Sequence, residues 1–239
     1  MSAMQKASVS DHRAKPSPVG VTLDTTAASL QPRRLTVLGA TGSVGSSTLD
    51  LIARHADAFE VEVLTAQTNA AALADLALKH RARLAVIGDD ACYRELADRL
   101  AGSGIEVAAG ATALVEAATR PVDCVMAAIV GAAGLRPTFA AAGAARRVAL
   151  ANKECLVSAG SVFMSAIRDS GAELVPVDSE HSAVLQSIGS YNPNDIERIV
   201  LTASGGPFRT WTKEQIATAT PEQAARHPNW STGSKITVD

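Results

Sequence analysis

The stretch Leu35–His55, LTVLGATGSVGSSTLDLIARH, decides the fold prediction. A short apolar run ends at Gly39, glycines recur at Gly42 and Gly45, and a helical pattern follows. A dinucleotide-binding fingerprint requires this context, because its glycines permit a tight turn, close approach of phosphate to the backbone and close helix–strand packing. The competing interpretation is a strand–helix turn with incidental glycines. The flanking strand and helix favour nucleotide binding.

Working outward, the spacing predicts a helix that presents Val44, Thr48, Leu51 and Ile52 on one face. Strand-like runs then alternate with helical patterns, in the order RLTVLG, FEVEVLTA, RLAVIG, VDCVMAAI, RRVALAN and AELVPVD. Strands that alternate with helices pair in parallel through crossovers. We therefore predict an α/β fold with a Rossmann-like, doubly wound parallel sheet.

The alternation of strand-like and helical patterns changes near Asp178, which predicts a domain boundary there. We expect a disordered extension over residues 1–32, a cofactor-binding domain over 33–178, and an α+β catalytic domain over 179–239. ERIVLTA, residues 197–203, reads as a further strand. The final SKITVD resembles the middle of a strand, so we expect this second domain to be incomplete.

Composition limits the class of partner. The net charge of the 239 residues is −2, which does not suggest nucleic acid or an anionic membrane and favours a small-molecule ligand. The longest apolar run, Cys124–Leu135, is shorter than the roughly 20 residues that a membrane span needs. Cys92, Cys124 and Cys155 form no CxxC pattern, which favours a reducing cytoplasm.

The first residues of the chain mix Ser, Ala, Pro and charges without periodicity. They contain no apolar region typical of a secretory signal, so we interpret residues 1–32 as a disordered extension. A transit peptide is the alternative, although Asp11, Asp24 and the scarcity of arginine weigh against it.

The residues after the second predicted strand indicate which cofactor binds. An NAD site usually places a carboxylate there to accept from the ribose 2′-hydroxyl. Here the segment is LTAQTN, without a carboxylate, which favours NADP. No Arg or Lys follows either, so Gln67, Thr68 and Asn69 would have to recognise the 2′-phosphate. Near the pyrophosphate, Thr41, Ser43 and the helix amides can donate hydrogen bonds.

The segment PVDSEH places Asp178 and Glu180 two residues apart after a strand-like run. In an extended chain these carboxylates point to the same face, and two oxygen ligands suit Mg²⁺ or Mn²⁺. The alternative is a helix N-terminus that Ser179 caps, with Glu180 exposed.

Three other polar clusters are ambiguous by themselves. ANKECL places Asn152, Lys153 and Glu154 after a strand, either as a solvated loop or with the lysine beside the metal. TASGGPF offers Ser204 and glycine amides as a nest for an anion. RHPNW offers His227 and Trp230, although an isolated histidine is more often structural.

Six motifs nevertheless occur in order: GATGSVG, MAAIVGAAGL, ANKE, PVDSEH, SGGPFR and RHPNW. Together they resemble the 1-deoxy-D-xylulose 5-phosphate reductoisomerase family from Arg33 to Asp239. The resemblance implies NADPH-dependent rearrangement and reduction of 1-deoxy-D-xylulose 5-phosphate to 2-C-methyl-D-erythritol 4-phosphate, a step of non-mevalonate isoprenoid synthesis. It also implies a divalent cation, Mg²⁺ or Mn²⁺, and a homodimer when the chain is complete.

The resemblance also implies roles for individual residues. Cofactor contacts are expected from Thr41, Gly42, Ser43, Val44, Gln67, Thr68, Asn69, Asn152, Glu154 and Gly233. Substrate contacts are expected from Lys153, Ser179, Glu180, Ser204, His227 and Trp230. Asp178 and Glu180 match the metal ligands, and with Lys153 they form the expected catalytic group.

The sequence departs from the family pattern in three places. Gln67–Asn69 contains no basic residue, although many members have one there, and Cys155 stands where serine is common. Members also continue past ITVD with a motif that supplies a third carboxylate ligand. A non-catalytic NADPH-binding fragment is therefore the alternative function. A Rossmann-type reductase without metal is a further alternative, against which the paired carboxylates and the SGGPF and HPNW segments argue.

Overall fold

A sheet of seven parallel strands organises the first part of the chain in a computed structural model, which describes residues 31–200 and 206–226. The strands are β1 (Arg33–Leu38), β2 (Phe59–Ala66), β3 (Leu84–Ile87), β4 (Glu106–Ala109), β5 (Cys124–Ala127), β6 (Arg147–Leu150) and β7 (Glu173–Pro176). The helices are α1 (Ser43–Arg54), α2 (Ala70–His80), α3 (Tyr93–Leu100), α4 (Gly110–Ala118), α5 (Leu135–Ala144), α6 (Glu154–Ser170), α7 (Ser179–Ile188), α8 (Lys213–Ala217) and α9 (Pro221–Ala224). The predicted doubly wound parallel sheet is confirmed.

The order of the strands is β4-β3-β2-β1-β5-β6-β7, and every neighbouring pair is parallel. The chain runs outward from the central β1 to β4 and then returns to pair β5 with the other side of β1. This reversal creates a topological switch point between β1 and β5, the place where ligands bind in open α/β sheets.

The hydrophobic core lies on both faces of the sheet. On β2, the neighbours Val63 and Leu64 are fully buried but belong to different clusters, because successive side chains of a strand point to opposite faces. Leu64 packs in the cluster that includes buried residues of α1, α2 and α3. On β1, Leu38 packs in a cluster with Phe163 of α6. Both faces are therefore covered by helices, as a parallel sheet requires.

Two predictions about strands were incomplete or wrong. The short strand β4 was missed, because Glu106–Ala109 is only four residues long and contains two alanines, which have low strand propensity. The strand expected over 197–203 is not present at 197–200, which has no regular secondary structure, and 201–203 lies outside the described residues. A strand requires a paired neighbour, and no described strand pairs with 197–200.

The predicted apolar face of α1 was also partly wrong. Gly45, Leu49 and Ile52 are the buried positions of this helix, whereas Leu51 is 54% exposed. The reason is steric. A Cβ at position 45 would overlap the backbone of the turn after β1, so the position that faces this turn must be a glycine. Gly45 rather than Val44 therefore sets the orientation of α1.

The chain divides by its contacts into two compact units, Met1–Tyr191 and Asn192–Asp239. The first unit contains the sheet and also α7, which follows Asp178. The domain boundary expected at Asp178 stays a prediction. The described residues of the second unit include α8 and α9, and a capping box begins each of these short helices. None of the helices in the described part of the chain has the length and apolarity needed to cross a bilayer.

Candidate functional site

Most of the site residues expected from the sequence follow the carboxyl ends of sheet strands. The glycine turn follows β1, Gln67–Asn69 follows β2, Asn152 and Lys153 follow β6, and Asp178 follows β7. Because all seven strands are parallel, these ends lie at one edge of the sheet, which we call the carboxyl edge. It is the edge at which α/β proteins bind ligands.

The glycine turn between β1 and α1 needs its glycines for space. Gly39 has a φ of +85°, and a Cβ there would lie 2.9 Å from the carbonyl oxygen of Ala128 in the loop after β5. A Cβ on Gly45 would overlap the Gly39 carbonyl oxygen and lie 2.7 Å from the Cα of Ala40. The turn, the first turn of α1 and the loop after β5 are therefore packed backbone against backbone.

The first turn of α1 is suited to an anion. Gly42 occupies the N-cap position, where no side chain caps the helix, and the first turn contains no acidic residue. Gly42 and Ser43 are exposed, while Thr41 and Val44 are half-buried. The first amides of a helix have no intrahelical acceptors and carry its positive dipole end. The turn can thus donate hydrogen bonds to a phosphate.

The residues after β2 are exposed, but two of their side chains already have neighbours. Oδ1 of Asn69 accepts a hydrogen bond from the Ala72 amide at 3.0 Å and so caps α2. The side chain of Gln67 lies over Gly88, where a Cβ would come within 2.5 Å of its Oε1. The predicted contact of Gln67, Thr68 and Asn69 with the adenosine phosphate stays a prediction.

Asn152 is buried rather than exposed beside the cofactor crevice, with 2% of its surface accessible. Its Nδ2 donates hydrogen bonds to the carbonyl oxygens of Ile129 at 2.6 Å and Gly131 at 3.0 Å. The side chain therefore holds the loop that follows β5. Glu154, two residues further along the chain, is exposed in the first turn of α6, and Cys155 is buried with 1% of its surface accessible.

Lys153 connects the two carboxylates that were predicted as metal ligands. Its Nζ lies 2.8 Å from Oδ2 of Asp178 and 3.9 Å from Oε2 of Glu180. The side chain of Asp178 is only 10% exposed, whereas those of Lys153 and Glu180 are about half exposed. The structure thus brings the three expected catalytic residues together around one positive charge.

The hydrogen bonds of Asp178 determine its charge state. Burial alone would raise the pKa of this carboxyl, but hydrogen bonds from Lys153 and His181 hold its pKa well below the ordinary value. Nδ1 of His181 lies 2.6 Å from Oδ1 of Asp178. The hydrogen bond between Lys153 and Asp178 also raises the pKa of Lys153. Asp178 is therefore a carboxylate and Lys153 an ammonium at neutral pH.

The geometric premise behind the metal prediction was wrong, although the convergence it predicted is present. Residues 178–180 are not extended, because α7 begins at Ser179. The alternative interpretation was also partly wrong, since Asp178 rather than Ser179 caps the helix, accepting from the His181 amide at 3.4 Å. Glu180 lies in the exposed first turn, next to Ser179. The capping carboxylate of Asp178 and the first-turn carboxylate of Glu180 therefore both lie near Nζ of Lys153.

The donor set fits a hard divalent cation. Asp178 and Glu180 offer carboxylate oxygens, which Mg²⁺ and Mn²⁺ prefer, and both already converge on a cationic atom. Residues 31–200 and 206–226 contain no group of three His, Cys, Asp or Glu side chains that could hold a metal. These two carboxylates are therefore a partial ligand set within the described residues.

Four expected site residues lie outside the described residues: Ser204, His227, Trp230 and Gly233. Sequence reasoning also missed two side chains at the carboxyl edge. Oγ1 of the buried Thr65 accepts a hydrogen bond from the Gly39 amide at 2.9 Å, and its only signal in the sequence was a hydroxyl residue near the end of a strand-like run. His181 was missed although it lies three residues after Asp178, the spacing of a helix-capping interaction.

A cavity of about 580 Å³ lies at the opposite edge of the sheet, against Phe59, Val61 and the end of α2. Its basic residues Lys79 and His80 are in the last turn of α2, where cations compensate the helix dipole. Burial and the neighbouring Lys79 lower the pKa of His80. None of the residues that line this cavity is among the expected site residues.

Comparison with known proteins gives matches along most of the chain. A model of the 1-deoxy-D-xylulose 5-phosphate reductoisomerase family matches residues 35–160, and a model of the C-terminal domain of that enzyme matches residues 174–239. A reductoisomerase of this name from Afipia carboxidovorans is 58% identical over 207 residues, which is 87% of this chain and 51% of the relative. One from Zymomonas mobilis is 54% identical, over 87% of this chain and 54% of the relative.

Solved structures agree with these matches. The structure of the Zymomonas mobilis reductoisomerase in complex with NADPH has a TM-score of 0.79 at 54% identity, covering 83% of this chain and 52% of that one. A reductoisomerase in complex with NADPH, fosmidomycin and magnesium has a TM-score of 0.75 at 38% identity, covering 84% and 52%. The chain spans about half the length of the curated relatives it matches.

Proposed function

Because the chain belongs to the 1-deoxy-D-xylulose 5-phosphate reductoisomerase family, we propose that its protein converts 1-deoxy-D-xylulose 5-phosphate to 2-C-methyl-D-erythritol 4-phosphate. The reaction rearranges the carbon skeleton and then reduces the resulting aldehyde. The observation that carries this proposal is the meeting of Lys153 with Asp178 and Glu180 at the same sheet edge as the glycine turn.

The glycine turn supports NADPH as the cofactor. Its uncapped helix end can donate hydrogen bonds to the pyrophosphate through Thr41–Val44. The segment Gln67–Asn69 contains no carboxylate that would repel a 2′-phosphate. Similar reductoisomerases have been solved in complex with NADPH. We assign NADPH to the domain over residues 33–178, with Glu154 and the main chain of Asn152 on the nicotinamide side and Gly233 as a further contact.

Asp178 and Glu180 are the proposed ligands of a divalent cation. When bound there, Mg²⁺ or Mn²⁺ would act as a Lewis acid that polarises the substrate carbonyl and stabilises negative oxygen. A cation that takes both carboxylates competes with Lys153 for them, because Nζ lies within 4 Å of each. Three similar solved reductoisomerases are described as complexes with magnesium.

The proposed substrate is a small sugar phosphate. Its site needs groups that bind an anion and groups that bind hydroxyls. Lys153 keeps its positive charge and can donate to substrate oxygens, and the exposed Ser179 is next to both carboxylates. Ser204, His227 and Trp230 complete the proposed substrate contacts. The described residues that bind substrate are thus also the neighbours of the proposed metal.

A turnover assay on the intact protein tests the function. We expect loss of NADPH absorbance only when 1-deoxy-D-xylulose 5-phosphate and Mg²⁺ or Mn²⁺ are both present, and we expect chelation to abolish it until the cation is restored. Turnover that survives thorough chelation would overturn the metal assignment. NADPH binding without turnover would instead support a non-catalytic cofactor-binding protein.

Matched variants separate the ligands from other carboxylates. We expect Asp178→Asn and Glu180→Gln each to raise the cation concentration for half-maximal activity by at least about tenfold. The control is Glu173→Gln, which removes a half-exposed carboxylate paired with Arg147 at the other end of β7. An equal effect of Glu173→Gln would mean that the assay reports net charge rather than ligation.

We propose that the protein is a cytoplasmic homodimer. Cys92, Cys124 and Cys155 are all free thiols, which agrees with a reducing cytoplasm. The family resemblance supports a homodimer, and the net charge of −2 supports neither nucleic acid nor an anionic membrane as a partner. Size measurement in solution checks the dimer.

A further inference from the structure

The buried side-chain amide of Asn152 makes hydrogen bonds that the expected cofactor contact does not explain. Both of its Nδ2 hydrogen bonds go to carbonyl oxygens of the loop after β5, those of Ile129 and Gly131. Its main chain joins the same region, since its amide N–H donates to the Ala127 carbonyl at 3.3 Å. Oδ1 is also buried and accepts no hydrogen bond from the described residues. The side chain therefore has no amide hydrogen left for a nicotinamide.

The loop after β5 is built around this amide. Gly134 packs against it so closely that a Cβ there would overlap both Asn152 Nδ2 and the Ile129 carbonyl oxygen. Gly131 has a φ of +67°, a conformation that side chains disfavour. Val130, between the two anchored carbonyls, is 82% exposed. Asn152 therefore holds the loop on both sides of this exposed apolar residue.

The same loop forms one wall of the switch point. A Cβ on Gly39 would lie 2.9 Å from the Ala128 carbonyl oxygen and 3.1 Å from the Ile129 amide nitrogen. The Ala128 amide donates to the Leu38 carbonyl at the end of β1 at 2.9 Å. A displacement of residues 128–131 would therefore reach the glycine turn directly.

We propose that the side chain of Asn152 has a positioning role: it fixes the loop 128–131 against the glycine turn and controls NADPH affinity through this loop, not through a contact of its own with the cofactor. This inference rests on the proposed function. Removing both donors would leave the Ile129 and Gly131 carbonyl oxygens without this partner. The loop would then lose the side-chain hydrogen bonds that connect it to the end of β6.

The experiment compares Asn152→Asp and Asn152→Ala with the wild type in the intact protein. Asp keeps the shape of the side chain but has no N–H to donate, and Ala removes the group. Hydrogen exchange, read by mass spectrometry without cofactor, measures the exchange rates of residues 128–134, which include the loop. NADPH fluorescence measures the Kd of the cofactor. We expect faster exchange in this loop and a Kd raised about tenfold, the equivalent of one net hydrogen bond.

Thr36→Val is the matched control. Thr36 is fully buried in β1, and its Oγ1 has no hydrogen-bond partner among the described residues, so the isosteric change removes no hydrogen bond of the loop. We expect it to change neither loop exchange nor the Kd. Faster exchange throughout the sheet in the Asn152 variants would show a general structural defect and overturn the proposal.

Two other outcomes also overturn it. A raised Kd with unchanged loop exchange would mean that Asn152 touches the cofactor directly, and faster loop exchange with an unchanged Kd would mean that the loop does not control binding. Failure of the proposed function would be visible in the wild type itself, as absence of NADPH binding. Failure of this inference is visible only in the comparison of variants with the wild type.

Discussion

At the residue scale, each polar side chain at the carboxyl edge has its own contacts. Lys153 is shared between two carboxylates, Asp178 is a helix cap as well as a partner of that lysine, and Asn152 is committed to a loop. Each residue thus has a structural contact in addition to its expected functional one. Substitutions at these positions must be read with measurements that separate the two.

Lys153 is expected to act mainly through its charge. We predict that Lys153→Met lowers kcat/KM by about 100-fold, the scale seen when one charge-stabilising donor is removed from an active site. The thermal unfolding midpoint should fall only modestly, since the side chain of Lys153 is 53% exposed and Asp178 keeps its hydrogen bonds with His181. Steady-state kinetics and calorimetry check the two parts.

Lys153→Arg keeps the charge with a different geometry, so we expect it to recover part of the lost activity. Full activity in Lys153→Met would remove this residue from the catalytic group. A large loss of stability in the same variant would instead assign it a structural role.

Asp178 should make the stability of the metal-free protein depend on pH. Its pKa in the folded state lies below the ordinary value near 3.8, so its contribution to stability is present above that value and is lost as the pH falls from there through the lower folded-state pKa. Asp178→Asn keeps an oxygen that can cap α7 but removes the charge. We expect the free energy of unfolding of the wild type to fall more steeply below about pH 5 than that of Asp178→Asn.

Denaturant titrations across acid pH, without divalent cation, measure this difference. Parallel pH profiles of the two proteins would contradict the ion pair with Lys153 and the hydrogen bond with His181.

At the scale of elements, β1, its glycine turn and α1 form one packed unit. Gly45 faces Gly39 and Ala40, and this contact determines which side of α1 is buried. The turn thereby presents the uncapped end of α1 at the carboxyl edge. Cofactor binding and helix packing consequently depend on the same glycine.

Gly45→Ala tests this dependence. A Cβ there would overlap the Gly39 carbonyl oxygen, so we expect a loss of about 1–3 kcal/mol in the free energy of unfolding and weaker NADPH binding. The control is Gly143→Ala in α5, where an added Cβ meets nothing within 4 Å. Helix propensity predicts that this control stabilises the protein by up to about 1 kcal/mol. Denaturant unfolding of both variants checks the contrast, and a tolerated Gly45→Ala would contradict the packing.

The sequence was informative where local pattern determines structure and less so where packing decides. Alternation of apolar runs and helical patterns predicted the sheet, because long β-rich runs such as Phe59–Ala66 carry a strong signal. The orientation of α1 and the commitment of Asn152 to the loop after β5 could not be predicted, since both depend on contacts between distant elements. The cap at Asp178 was local, but Ser179 next to it offered an equally plausible N-cap.

At the scale of the whole molecule, topology explains why the candidate site has residues from four strands. The order β4-β3-β2-β1-β5-β6-β7 places the switch point between β1 and β5, and parallel pairing brings the ends of β2, β6 and β7 to the same edge. The chain covers about half the length of the curated relatives it matches. The proposed activity is therefore a property to measure on the intact protein.

The most direct measurement supplies deuteride-labelled NADPH to the intact protein with 1-deoxy-D-xylulose 5-phosphate and Mg²⁺, and identifies the product by NMR. The account predicts a branched product, 2-C-methyl-D-erythritol 4-phosphate, with one deuterium on the carbon of the reduced aldehyde. An unbranched product with deuterium on the former ketone carbon would contradict it, because that result means reduction without rearrangement.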